Sequence, residues 1–309
     1  MSVTDSPGGR LVRWIGSWAT VIAPATVLGA LLFYFGYISA RSQYEYFGID
    51  VDAIGLTTQD YVMRSPQPLL VPLLVLTLLA VALLVLDLWV STRMVAAGVL
   101  WRLPRILSTV GATVLGTGVV PLFSYPLVRD WPYYNLVTPV LFAVGAGLVG
   151  YAWRLSDVAQ RLREHQPSAD SPASAPAARS PDSSLWLRRT ARMLVYIMII
   201  AGVFWTTATV AQWAGRGQAR DQARHLDTLP RVILDTKEPL YLRSPGVEER
   251  VLPTVEGQTF HYRYRNLRLL IVGRDRMFLV PEQWSASNST LVVPLDGSVR
   301  IQFQFQNPR

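Results

Sequence analysis

Five long apolar runs constrain this chain more than any other feature of its sequence. The clearest is Leu69–Val90, which carries no charge before Asp87. The hydrocarbon core of a bilayer is about 30 Å thick and a helix rises about 1.5 Å per residue, so about 20 apolar residues cross it. The runs predict transmembrane helices near Ser17–Ala40, Leu69–Val90, Ile106–Leu127, Leu136–Leu155 and Arg192–Ala214. Trp14, Trp18, Trp89, Trp131, Tyr133, Tyr134, Trp153, Trp186 and Trp213 fall near their ends, where aromatic belts are expected. The first run is too long for a cleavable signal sequence and is expected to act as an uncleaved anchor.

Arginine sets the orientation. Arg10, Arg13, Arg93, Arg102, Arg105, Arg154, Arg161, Arg163, Arg179, Arg188 and Arg189 fall on one side of the five spans. Only Arg41, Arg64 and Arg129 occupy the short loops on the other. Positive loops stay inside, so the amino end is expected in the cytoplasm of a plasma-membrane protein and the carboxyl end outside. The domains read as 1–16 (cytoplasmic), 17–155 (four helices with an outer loop at 41–68), 156–187 (a Pro/Ala/Ser linker), 188–214 (the fifth helix) and 215–309 (an outer stalk and β-rich domain). Within the linker, Glu164–Ser184 has too little apolar surface to offset its ordering entropy, which predicts a disordered tether.

The spans are poor in polar groups. Asp87 is the one intramembrane carboxylate to weigh, and an end-of-helix position that reaches headgroup water accounts for it. Thr206, Thr207 and Thr209 can bond back to their own helix. Small residues at close-approach spacing in the third and fourth spans, Ala112 with Gly116, Ala143 with Gly147 and Ala146 with Gly150, predict helix contacts within one bundle or, as the alternative, across an oligomer. Pro24, Pro72, Pro121 and Pro139 are candidate kinks.

The outer loop Arg41–Ser65 is the most individual stretch. Tyr44, Tyr46 and Phe47 suit an interface, Gly48 and Gly55 permit turns, and Thr57 with Asp60 has capping-box spacing, which predicts a short helix over Thr58–Arg64. Asp50 and Asp52 are too few for a calcium site. A docking surface for the C-terminal domain or for the bundle is the expected use.

After Arg216–Leu229, read as a helical stalk, the period changes to two. Phe260, Tyr262 and Tyr264 alternate with His261, Arg263 and Arg265; Val299, Ile301, Phe303 and Phe305 alternate with Arg300, Gln302 and Gln304. Such alternation predicts half-buried antiparallel strands, and Gly273–Arg276 a hairpin turn between LRLLIV and MFLV. Further strands are expected near Arg231–Thr236, Leu240–Arg243 and Thr290–Val293. The fold class that follows is a membrane α-helical bundle of about five transmembrane helices with a small antiparallel β-rich extracytoplasmic domain.

The pI near 10 does not point to nucleic acid, because the arginines flank membrane segments and do not form one patch. The absence of cysteine excludes disulfides and thiol catalysis. His165, His225 and His261 are scattered, and no nucleophile elbow, HExxH, P-loop or dinucleotide fingerprint occurs. No catalytic residue, metal or cofactor is expected. Arg263, Arg265, Arg268, Arg274 and Arg276, with Tyr44 and Tyr46, are the candidate contact surface for another envelope protein or an anionic envelope polymer.

YFGID followed by GLTTQDYVMRS in the outer loop, and YRNLRLLIV, FLVPEQW and VRIQF near the end, resemble a group of uncharacterised multi-pass membrane proteins of high-GC Gram-positive bacteria. The resemblance implies a plasma-membrane location and no activity. The sparse polar content of the spans and the well-patterned outer domain make non-enzymatic binding, sensing or scaffolding in the cell envelope the expected function. The rival is a transporter or channel subunit, with a pore formed by homo-oligomerisation through the third and fourth spans and Asp87 as its key group.

Overall fold

The computed structural model describes residues 7–97, 103–124, 131, 133–164, 181–242, 244–285 and 287–304; for 7–23, 91–97, 162–164 and 181–185 it describes the backbone alone. Among these residues there are seven α-helices: α1 (Pro7–Glu45), α2 (Val51–Ile54), α3 (Thr58–Arg64), α4 (Pro66–Ala97), α5 (Leu103–Phe123), α6 (Tyr134–Glu164) and α7 (Pro181–Arg224). Six strands follow a short 3-10 turn: β1 (Arg231–Thr236), β2 (Glu248–Val251), β3 (Tyr262–Val272), β4 (Arg276–Pro281), β5 (Leu291–Pro294) and β6 (Val299–Phe303). The chain divides into two units, Met1–Leu70 with Ala211–Arg309, and Val71–Val210.

Among the described residues, four helices are long and apolar enough to cross a membrane: α4, α5, α6 and α7. That is one fewer than the sequence predicts. The remaining expected span, Ser17–Ala40, lies inside α1, whose residues up to 23 are described by backbone alone. The expected linker is also shorter than its 156–187 boundaries, because α6 runs on to Glu164 and α7 already begins at Pro181. The rest of it, and Phe305 in the last predicted alternation, lie outside the described residues. The expected stalk is no separate element: α7 continues through it to Arg224.

In the unit Val71–Val210, α5 packs on α6 as expected, but through other glycines. A Cβ on Gly111 would meet the carbonyl of Gly145, and one on Gly145 would meet the backbone of Leu115; nothing approaches Gly116 or Gly147. Gly202 of α7 meets Pro139 and Ala143 of α6 in the same way. Without side chains between them the backbones close up, and dispersion, the main attraction between helices in lipid, grows. Spacing alone revealed a stripe of small residues, whereas helix rotation decides which of them touch.

In the other unit, the outer loop and the sheet form one body. Thr57 caps α3: its hydroxyl accepts from Asp60 N at 3.3 Å, and the Asp60 carboxylate accepts from Thr57 N at 2.7 Å. Asp50 caps α2, and Gly55 ends it at φ 74°, a conformation a side chain resists. Phe47, Val51, Ile54 and Tyr61 then bury themselves with Leu270, Ile271, Phe278 and Val280 of β3 and β4, and with Ala219 and Leu226 near the end of α7. Docking of the loop on the C-terminal domain, one of its two expected uses, is what occurs.

The sheet is antiparallel, ordered β5-β4-β3-β1-β6, with β2 pairing β3. Tyr262–Tyr264 pair both β1 and β2, while Leu267 and Arg268 pair both β1 and β4, so β2 and β4 share one edge of β3. β1, β5, β6 and the hairpin turn agree with the sequence. Of the expected strand Leu240–Arg243, Leu240–Leu242 is not in a strand and Arg243 lies outside the described residues: Tyr241 sits at φ 50°, and Leu240 N instead donates to the Tyr264 hydroxyl at 2.7 Å. One face carries a second core of Val232, Leu234, Tyr264, Leu267, Met277, Leu279 and Val293. The opposite face is apolar at the β3–β4 end, where the outer loop covers it, and charged beyond.

Candidate functional site

The charged part of that face is built by a β-bulge. Strict alternation from Arg263 and Arg265 would turn Arg268 to the other side of β3. Asn266, at φ 61°, takes up an extra residue, and the register with β1 shifts at this point. Asparagine tolerates that left-handed backbone better than most residues. Arg268 thereby joins the face of Arg263 and Arg265, opposite Arg231 of β1. Residues directly opposed in a ladder share a face, so Arg250 (opposite Arg263) and Arg300 (opposite Asp235) lie there too.

The arginines are shared out two to a carboxylate. Asp235, fully buried, accepts from Arg263 Nε at 2.8 Å and Nη2 at 3.0 Å, and from Arg300 Nη2 at 2.6 Å and Nε at 2.9 Å. Burial opposes its ionisation, but the hydrogen bonds and charges of the two guanidinium groups prevail and hold the carboxyl below its usual range. Glu282 Oε1 accepts from Arg231 and Arg268, with the same balance and the same direction. Arg268 is buried and also donates to the carbonyls of Asp227 and Leu229 at 3.2 and 2.9 Å. Each trio keeps one net positive charge in a fixed frame. Arg231 and Arg300 remain 40% and 47% exposed, so that charge reaches solvent. With Arg250, Arg265 and the carboxylate of Glu248, the face holds six arginines against three acids.

Of the predicted contact residues, Arg263, Arg265 and Arg268 are brought together. Arg274 and Arg276 lie at the β3–β4 turn: Arg274 N donates to Ile54 O at 3.3 Å, and Arg276 is held by Asp275 at 2.8 Å. Tyr44 is buried in the core shared by loop and sheet, where burial raises its hydroxyl pKa and Arg64 donates to it at 2.7 Å. It is no surface residue. Tyr46 stays exposed and lines, with Phe47, Trp284 and Asn288, a cleft of about 820 Å³. The polar rim of that cleft is largely engaged in its own support: Asn288 Nδ2 donates to Gln283 O at 2.8 Å and the Thr290 hydroxyl to Phe47 O at 2.6 Å. Sequence reading missed Arg231, Arg250, Asp235 and Glu282 as partners, because only the ladder register brings them onto one face.

Asp87, in the other unit, accepts from Arg154 at 2.8 Å and from the Tyr151 hydroxyl at 3.1 Å. Among the described residues, no three His, Asp or Glu side chains are grouped closely enough to hold a metal ion. Asp50 instead caps α2, and Asp52 accepts from the Tyr37 hydroxyl at 3.3 Å. Comparison with family models, curated proteins and solved structures finds no match to this chain.

Proposed function

We propose that this is a non-enzymatic integral membrane protein of the cell envelope, whose outer module binds a polyanion on the arginine face of its sheet. The observation that carries the reading is the pairing of Asp235 with both Arg263 and Arg300, repeated by Glu282 with Arg231 and Arg268. Two guanidinium groups per carboxylate leave excess charge on a rigid surface. Guanidinium matches phosphate and carboxylate geometry, so a repeating anionic polymer is the partner that the charge favours. The fifth crossing, by α1, would place this module outside and the amino end inside, in line with the arginine asymmetry of the loops. The resemblance to multi-pass proteins of high-GC Gram-positive bacteria agrees with a plasma-membrane location.

The test uses the full chain in nanodiscs of zwitterionic lipid, with inorganic polyphosphate as the probe. Binding that weakens with salt and falls roughly tenfold in Arg250→Gln/Arg265→Gln is expected, at about 1 kcal/mol or less per surface contact. Equal binding of neutral dextran, or a variant that binds as well as the parent, would count against the reading.

A further inference from the structure

We infer that the groove between α6 and α7, in the unit Val71–Val210, is a binding site for an anionic phospholipid. Two adjoining hollows of about 320 and 310 Å³ lie there, sharing Trp153, Asp157 and Arg192. The first is lined by Gly150 and Val195, where a Cβ on the glycine would come within 3.2 Å of the valine methyl. Arg154 and Arg161 line the first hollow and Arg188 the second. Four arginines from two helices thus line the two hollows, against one lining carboxylate, Asp157. Asp157 takes Arg192 at 2.7 Å, and Asp87 takes Arg154 at 2.8 Å. Arg154 and Arg192 nevertheless keep 63% and 48% of their side chains exposed, with donors to spare for a phosphate.

The surroundings suit a lipid better than a soluble anion. Trp153 and Tyr196 wall the basic hollow, and such rings belong at headgroup level. From Tyr196 the outer surface of α7 continues as Ile197 and Ile200, both exposed and able to lie along an acyl chain. A basic pocket between helices that runs on into apolar surface has the chemistry of an anionic headgroup with its tail. This site is independent of the arginine face on the sheet.

Native mass spectrometry of the full chain, extracted in mild detergent and offered phosphatidylglycerol or phosphatidylcholine, tests it. Phosphatidylglycerol is expected to be retained roughly tenfold better. Arg161→Gln or Arg188→Gln alone should reduce its retention roughly fivefold and the pair roughly twentyfold. Arg220→Gln, near the other end of α7, should leave it unchanged; circular dichroism checks that each variant stays helical, and the single variants decide if the pair does not fold. Equal retention of the two lipids would overturn the inference, as would unchanged retention in the single variants or equal loss in Arg220→Gln. Displacement by glycerol phosphate alone would make it a free-phosphate site and overturn the lipid assignment.

Discussion

The Thr290 hydroxyl donates to the backbone carbonyl of Phe47 at 2.6 Å, joining positions 243 residues apart. Phe47 meets Trp284 edge-on at 5.1 Å between centroids. A loop between two helices and a C-terminal sheet are thereby one folded body. About 80 residues of isolated sheet would be marginally stable, and the loop supplies the apolar cover it lacks.

Gly273 tests that docking. A Cβ there would collide with the carbonyl of Ile54, which also accepts from Arg274 N. Gly273→Ala should destabilise the unit by about 2 kcal/mol, since backbone cannot yield as a side-chain tip can. Thermal melts of the purified protein should show it, together with faster proteolysis within 41–65.

The cap of α3 gives a smaller effect. Thr57→Ala removes the hydroxyl that accepts from Asp60 N and should cost about 1 kcal/mol. The same change removes one of the two hydrogen bonds that hold the Asp60 carboxyl below its usual range; the larger one, from the backbone N–H of residue 57, stays. Carboxyl titration by NMR should place Asp60 higher in the variant.

Acid should unfold the sheet through Asp235 and Glu282. Both are depressed in the folded protein, so their contribution is complete above the unfolded carboxyl pKa of about 4. As pH falls below that value the unfolded chain takes up protons the folded chain refuses. Stability is then lost progressively down through the folded values. Asp235→Asn should flatten the acid limb of a stability curve. At neutral pH it should cost about 3 kcal/mol by leaving Arg263 and Arg300 without their counter-charge.

Gly145→Leu should separate α5 from α6, because the backbone of Leu115 and the carbonyl of Gly111 occupy the space the side chain needs. A loss of about 2 kcal/mol is expected in denaturant titrations in detergent. Gly147→Leu, at a position with open space around it, should be nearly neutral.

What the sequence disclosed follows the range of the interactions. The presence of long apolar helices, the Thr57–Asp60 cap, the hairpin at Gly273 and the alternating strands are set by neighbours within a few residues, and all were legible; the helix ends were not, since α6 and α7 run on into the expected linker and stalk. β2 was not, because Glu248–Val251 is exposed throughout and shows no apolar alternation. The shared core of Phe47, Ile54 and Phe278 depends on long-range contacts that periodicity does not encode. The arginine face was half legible: Arg263 and Arg265 share it by alternation, but Arg268 reaches it through the bulge at Asn266. Tyr44 misled because an aromatic next to a span suits a core as well as an interface.

The chain has no cysteine, so a single introduced thiol reports which side of the membrane it occupies. Ser289→Cys, exposed beside the cleft, should react with a membrane-impermeant maleimide in intact cells, and Ser174→Cys, between α6 and α7, only after permeabilisation. The reverse pattern would put the arginine face in the cytosol and contradict its role in recognising an envelope polymer.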